Sequence, residues 1–138
     1  MKIRCNSDNI SKENSPLSII KWSNNSELEI TIGKIYTVLA ITKLFDIVFY
    51  YILSDESNEY PLAFPYYLFE IEENKVSKYW DTSLSIIEEP GLVKIQNGQV
   101  MSFKEWIAKK DLFYENLLEG IQEEVRTFNN YRDKMLNE

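Results

Sequence analysis

The sequence predicts an α+β fold in which antiparallel strands occupy residues 1–101 and a helical layer occupies residues 102–138. Three observations predict it. Before residue 101 the apolar residues alternate with polar ones or form short β-branched and aromatic blocks. After Ser102 their period changes from two to about three and a half. Only 4 Gly and 4 Pro occur in 138 residues, so no linker divides the chain and one core is expected.

A short strand is expected over Lys2–Cys5, followed by a polar loop rich in Asn and Ser at Asn6–Pro16, within a long excursion over residues 6–27. Leu28, Ile30 and Ile32 alternate with Glu29 and Thr31, the pattern of a half-buried strand that Gly33 ends or bulges. Ile35–Thr42 and Ile47–Ser54 are apolar on both faces, so a sheet built from them needs cover on both sides. Lys43 and Asp46 interrupt this stretch, where charge is costly in lipid, so two strands joined by a turn are expected in place of a membrane span.

Asp55–Glu59 reads as a solvated turn, and Pro61 marks Tyr60–Phe64 as an edge strand or bulge because proline cannot donate to a ladder. Pro65 turns the chain into Leu68–Ile71. Leu92–Ile95 and Gln99–Met101 flank Asn97-Gly98, the pair that most readily takes two positive φ angles, so a type I′ hairpin is expected there. Ser102-Phe103-Lys104-Glu105 fits a capping box at a helix start. Ile107, Tyr114, Ile121, Phe128 and Met135 then recur every seven residues, with Leu117, Leu118 and Val125 beside them, and Gly120 interrupts that stripe. This helical tail is the expected second layer.

Composition excludes several chemistries. With no histidine the chain lacks the usual general base, the commonest zinc ligand and the serine triad. Its scattered glycines form no phosphate-binding loop, and its single cysteine, Cys5, reads as a small buried apolar residue in a chain without disulfides. Asp55-Glu56-Ser57-Asn58-Glu59 lacks the glycine and spacing of a calcium loop. No enzyme, metal or cofactor is expected. Met1–Lys12 contains no apolar core of a secretion signal, so a cytoplasmic protein is expected.

Charge placement is more informative than its total. Residues 55–89 hold nine acids against Lys75 and Lys78, so the whole net charge of −7 falls in that segment. A field of that sign repels phosphate backbones and attracts basic surfaces. The expectation is a basic protein partner, neither nucleic acid nor membrane, bound at Asp55, Glu56, Glu59, Glu70, Glu72 and Glu73, with Tyr66, Tyr67 and Trp80 as an apolar centre inside the acidic rim. The sequence leaves the oligomeric state open.

The order of these segments resembles that of small bacterial SH3-like β-barrels. The resemblance covers residues 1–71 and rests on Lys2-Ile3-Arg4-Cys5, on Ile30-Thr31-Ile32-Gly33-Lys34-Ile35-Tyr36-Thr37-Val38-Leu39, on Tyr50-Tyr51-Ile52-Leu53-Ser54-Asp55, and on Tyr60-Pro61-Leu62-Ala63-Phe64-Pro65 with Leu68-Phe69-Glu70. Phe113–Gly120, leading into a closing helix, is similar to the tails of toxin-immunity proteins built on this barrel. The resemblance implies a barrel of about five strands and a non-catalytic protein that neutralises a cognate toxin, for which the acidic segment suits a basic nuclease. The alternative is an adaptor or phage/host accessory module that binds a peptide through the barrel.

Overall fold

The structure, a computed structural model, describes residues 1–7, 29–81, 87–89, 92–93 and 95–138. The α+β class holds. Among the described residues the strands are β1 (Lys2–Cys5), β2 (Ile35–Thr37), β3 (Ala40–Leu44), β4 (Ile47–Ile52), β5 (Leu62–Pro65), β6 (Phe69–Glu73), β7 (Ile87–Glu89), β8 (Leu92–Val93) and β9 (Val100–Met101), and the helices are α1 (Lys104–Lys109), α2 (Asp111–Leu118) and α3 (Gln122–Leu136). A 3-10 turn, Tyr66–Leu68, separates β5 from β6. The strands pair antiparallel in a three-stranded sheet ordered β2-β1-β6, a four-stranded sheet ordered β5-β4-β3-β9 and the ladder β7-β8. None of these sheets closes on itself among the described residues. The two larger ones share one core, in which the Phe69 ring meets Tyr36, Tyr50 and Phe64 edge-on at 6.1–6.5 Å.

The expected single strand over Ile35–Thr42 is divided, and its apolar character on both faces follows from the division. The amide of Val38 donates to Met1 O (3.0 Å), in continuation of the β1–β2 ladder, while that of Leu39 donates to Tyr51 O (2.8 Å) on β4. The chain therefore passes from one sheet to the other between these two residues, and both are buried. The half-buried strand expected from Leu28 to Ile32 is not formed over its described part: Glu29–Ile32 is irregular, and a turn with Gly33 at φ 88° leads into β2. Leu28 and most of the loop expected over 6–27 lie outside the described residues. β5 forms the edge that Pro61 and Pro65 require.

The type I′ hairpin occurs elsewhere than expected. Leu44 pairs with Ile47, so Phe45 and Asp46 form a two-residue loop with φ 55° and 61°. Both left-handed positions of a type I′ turn are thus occupied by residues that adopt them at a cost of about 1–2 kcal/mol each. Asn97 holds the turn: its Oδ1 accepts from the Asp46 amide (2.9 Å), and its Nδ2 donates to the Asp46 carboxylate (2.8 Å). Asn97-Gly98 does turn the chain, closed by the Gln99 amide on Gln96 O (3.0 Å), but only Gly98 has positive φ. The strand that follows, β9, pairs with β3 rather than with β8.

The helices supply the second layer. Trp106 on α1 lies edge-on to Tyr51 of β4 at 5.0 Å and stacks on Phe113 of α2 at 5.4 Å, while Phe103 stacks on Tyr131 of α3 at 4.1 Å. Ser102 does not cap α1. It is fully buried and donates its hydroxyl to Leu39 O (2.8 Å), satisfying a carbonyl where the chain changes sheets, and Phe103 becomes the uncapped N-terminal residue. Gly120, at φ 76°, ends α2: its own amide donates to Leu117 O and that of Ile121 to Asn116 O, the paired bonds of a Schellman motif. The break re-phases the seven-residue stripe, so Phe128 and Met135 are buried whereas Ile121 and Leu118 are exposed. No helix among the described residues is long and apolar enough to cross a membrane.

Two outcomes are expected. A fragment ending at Met101 uncovers the Tyr51 face of the four-stranded sheet and should aggregate or lose its cooperative thermal transition in circular dichroism. Phe45→Asn should raise the stability measured by urea unfolding by about 1 kcal/mol, because asparagine adopts the left-handed region more readily.

Candidate functional site

Where the chain leaves β2 and returns after β4, an open cleft of about 670 Å³ forms. One wall is Lys34–Thr37. The other is the loop Leu53–Glu59, and Leu136 at the end of α3 also lines it. Asp55 ties the walls together: its carboxylate accepts from the Lys34 ammonium (2.6 Å), the Thr31 hydroxyl (2.6 Å) and the Tyr36 hydroxyl (2.9 Å). Its amide donates to Glu29 O (2.8 Å). The rest of the loop is pinned by its serines, with Ser54 Oγ accepting from the Glu56 amide and Ser57 Oγ from the Glu59 amide. From α3, Arg132 donates to Asn58 O (2.8 Å).

Burial opposes ionisation of Asp55, and the hydrogen bonds from Lys34, Thr31 and Tyr36 outweigh it, so its carboxyl is held below the ordinary aspartate value of 3.8. Burial first, and then the adjacent Asp55 carboxylate, push the Tyr36 hydroxyl up to about 12. Asp55 is therefore a charged joint of the fold. Glu56 and Glu59 differ: both are exposed, and neither has an ion-pair partner among the described residues. Among the described residues that line the cleft, Asp55, Glu56 and Glu59 are the acids and Lys34 the base, with the Arg132 guanidinium at its rim on Asn58 O.

The nine residues expected to form one acidic surface are dispersed. Asp55, Glu56 and Glu59 line the cleft. Glu70 and Glu72 lie on β6, beyond β1, where Arg4 donates to both oxygens of Glu72 (2.9 and 3.1 Å) and lies 3.8 Å from Glu70. Glu73 lines a separate hollow with Lys75 and Lys78. Tyr66 and Tyr67 form the 3-10 turn, half-buried and edge-on to each other at 5.8 Å. Trp80 is 6% exposed and belongs to the core, so it cannot stand at the centre of a surface patch. The remaining acids of the segment include Glu88 and Glu89, whose side chains lie outside the described residues.

Sequence reasoning missed Lys34, Tyr36 and Thr31 as partners of Asp55, since contacts between positions 19 to 24 residues apart leave no periodic signal. It also missed a smaller apolar groove at the β3–β4 turn, lined by Leu44, Phe45, Phe49, Tyr51, Leu62 and Tyr114. No group of three metal-ligating side chains is found among the described residues. Comparison with protein-family models, with curated proteins and with solved structures returned no match.

A carboxyl whose pKa is lower folded than unfolded contributes its full stabilisation above the unfolded value and loses it as pH falls through the folded one. Asp55→Asn should therefore cost about 1–2 kcal/mol at pH 7 and flatten the loss of stability below about pH 4. Urea unfolding between pH 2 and pH 7 checks both effects.

Proposed function

We propose that this chain is a non-catalytic protein-binding module of the toxin-immunity type, which holds a basic partner at the acidic cleft. The observation that carries this reading is the cleft itself, lined by exposed Glu56 and Glu59 and an ionised Asp55 whose ammonium partner is Lys34. Its sign favours cationic protein surfaces over phosphate backbones and anionic membranes. The same reading takes the two larger sheets as the facing parts of an SH3-like barrel, which the shared core beneath Phe69 supports, and places the protein in the cytoplasm beside its toxin. A second reading, a peptide-binding adaptor, draws on the apolar groove, where Phe45 projects from the hairpin tip with 58% of its surface exposed.

The test begins with the product of the neighbouring open reading frame. Co-expression with this chain should restore growth that the product alone abolishes. Charge steers association, so the Glu56→Gln, Glu59→Gln double variant should bind that product about threefold to tenfold more slowly at low ionic strength, with a weaker salt dependence. Association rates at two salt concentrations read this directly. Unaltered kinetics would move the interface away from the cleft, and dependence on Phe45 would favour the adaptor.

A further inference from the structure

One wall of the cleft is a sheet edge whose outer side has no strand partner among the described residues. β2 is the terminal strand of the order β2-β1-β6 and pairs, among the described residues, only with β1. The Cys5 amide donates to Lys34 O (3.0 Å) and the Val38 amide to Met1 O (3.0 Å). In an antiparallel ladder, pairs that exchange hydrogen bonds alternate with pairs that do not. The Lys34 carbonyl, Tyr36 and the Val38 amide therefore face β1, the Lys34 amide being taken by Thr31 O (3.1 Å), and Ile35 and Thr37 turn an N–H and a C=O each toward the cleft that both residues line. The Ile35 side chain adds apolar surface beside this edge, with 43% of it exposed.

We infer that the cleft takes its partner by β-strand addition: an extended basic segment pairs with the outer edge of β2 and sets its cationic side chains against Glu56 and Glu59. This inference rests on the proposed reading of the cleft as an acidic binding site and adds the mode of binding. Main-chain hydrogen bonds supply affinity in such pairing, and alternate side chains supply selectivity. Charge selects the occupant. A second copy of the chain would bring the same carboxylates to the same edge, and like charge opposes that pairing, whereas a lysine- or arginine-bearing strand is attracted. With only three residues, β2 offers a short register, which fits one extended segment rather than a sheet-to-sheet contact.

The probes are a six-residue peptide alternating lysine and valine, the same peptide N-methylated at four consecutive amides, and a glutamate–valine counterpart. Binding to the full chain is measured by calorimetry, and hydrogen exchange at the Ile35 and Thr37 amides by NMR. The lysine peptide should slow exchange at both amides about tenfold. N-methylation keeps its charge and removes its donors, and should weaken binding about tenfold. Thr37→Pro removes one outward donor at an edge that accepts proline and should have a similar effect. The peptide and exchange measurements use the unaltered protein, so they decide the matter even if that variant unfolds.

If the lysine peptide binds, weakens with Glu56→Gln and Glu59→Gln, but tolerates N-methylation and leaves both amides unprotected, strand addition is overturned and the acidic reading stands. Protection of both amides by the glutamate peptide as strongly as by the lysine peptide would overturn the acidic reading and keep the open edge. Failure of every peptide to bind at millimolar concentration would overturn both.

Discussion

The β3–β4 hairpin is apolar on both faces, and that constraint organises the molecule. Ile41, Tyr50 and Ile52 point to one side, Ala40, Phe49 and Tyr51 to the other, and the pairings of Ile41 with Tyr50 and of Ala40 with Tyr51 keep the two sets apart. The first set packs toward the β2-β1-β6 sheet, where Tyr50 meets Phe69, and the second lies under the helices, where Tyr51 meets Trp106 and Tyr114. Removing either layer would return large aromatic surfaces to water, at roughly 25 cal/mol for each Å² exposed. The helical tail is thus part of the core. Tyr114 reinforces this by donating its hydroxyl to Pro61 O (2.6 Å), which joins α2 to the start of the edge strand β5.

Electrostatics in this chain is settled by local partners more than by the count along the sequence. Arg4 engages Glu72 across the β1–β6 pair, Lys34 engages Asp55, and Lys109 on α1 engages the buried Glu124 of α3. The last pair joins two helices, and the hydrogen bond from Lys109 foremost holds the Glu124 carboxyl below its ordinary range. Lys78 and Lys134 lie over the ring of Tyr79, a residue of the segment that is acidic by sequence, at 5.2 and 5.5 Å from its centroid. Of the acids expected to act together, Glu56 and Glu59 remain as exposed charge beside a cavity, without an ion-pair partner among the described residues. A uniform acidic surface has become a small acidic cleft.

What was legible in the sequence was what depends on local periodicity. Lys2–Cys5, the two central strands, the edge role of the Pro61–Pro65 segment, the helical second layer and the break at Gly120 all follow from side-chain alternation, proline's missing donor or glycine's left-handed φ. The misreadings share another origin. Ile35–Thr42 looks continuous because Val38 and Leu39 are both apolar, and only the change of hydrogen-bond partner from Met1 to Tyr51 divides it. Asn97-Gly98 carries the stronger local turn signal, yet the type I′ geometry sits on Phe45-Asp46, because Asn97 is the clamp for that turn. Ser102 has the pattern of a cap, whose hydroxyl oxygen would accept from the helix, but it is buried and its hydroxyl donates to Leu39 O instead. Each was decided by a partner distant in sequence. Trp80 shows the same limit for the site, since neither its spacing nor its acidic neighbours distinguish a core indole from an exposed one.

The switch between sheets also explains why the cleft lies where it does. Because the chain leaves β1 after Val38 to join β4, β2 ends as a three-residue edge, and among the described residues no strand of the second sheet continues along it. The chain that emerges from β4 returns to the same sheet as β5, beside β4. The loop Leu53–Glu59 between them reaches the β2 side, where Asp55 anchors it to Lys34, Thr31 and Tyr36. A loop so placed buries little apolar surface, and its polar residues are set by turn geometry and solvent, which leaves Glu56 and Glu59 unconstrained by packing. The feature that closes the core, a chain divided between two sheets, therefore creates next to it a strand edge that is unpaired among the described residues, beside Glu56 and Glu59, which packing does not constrain.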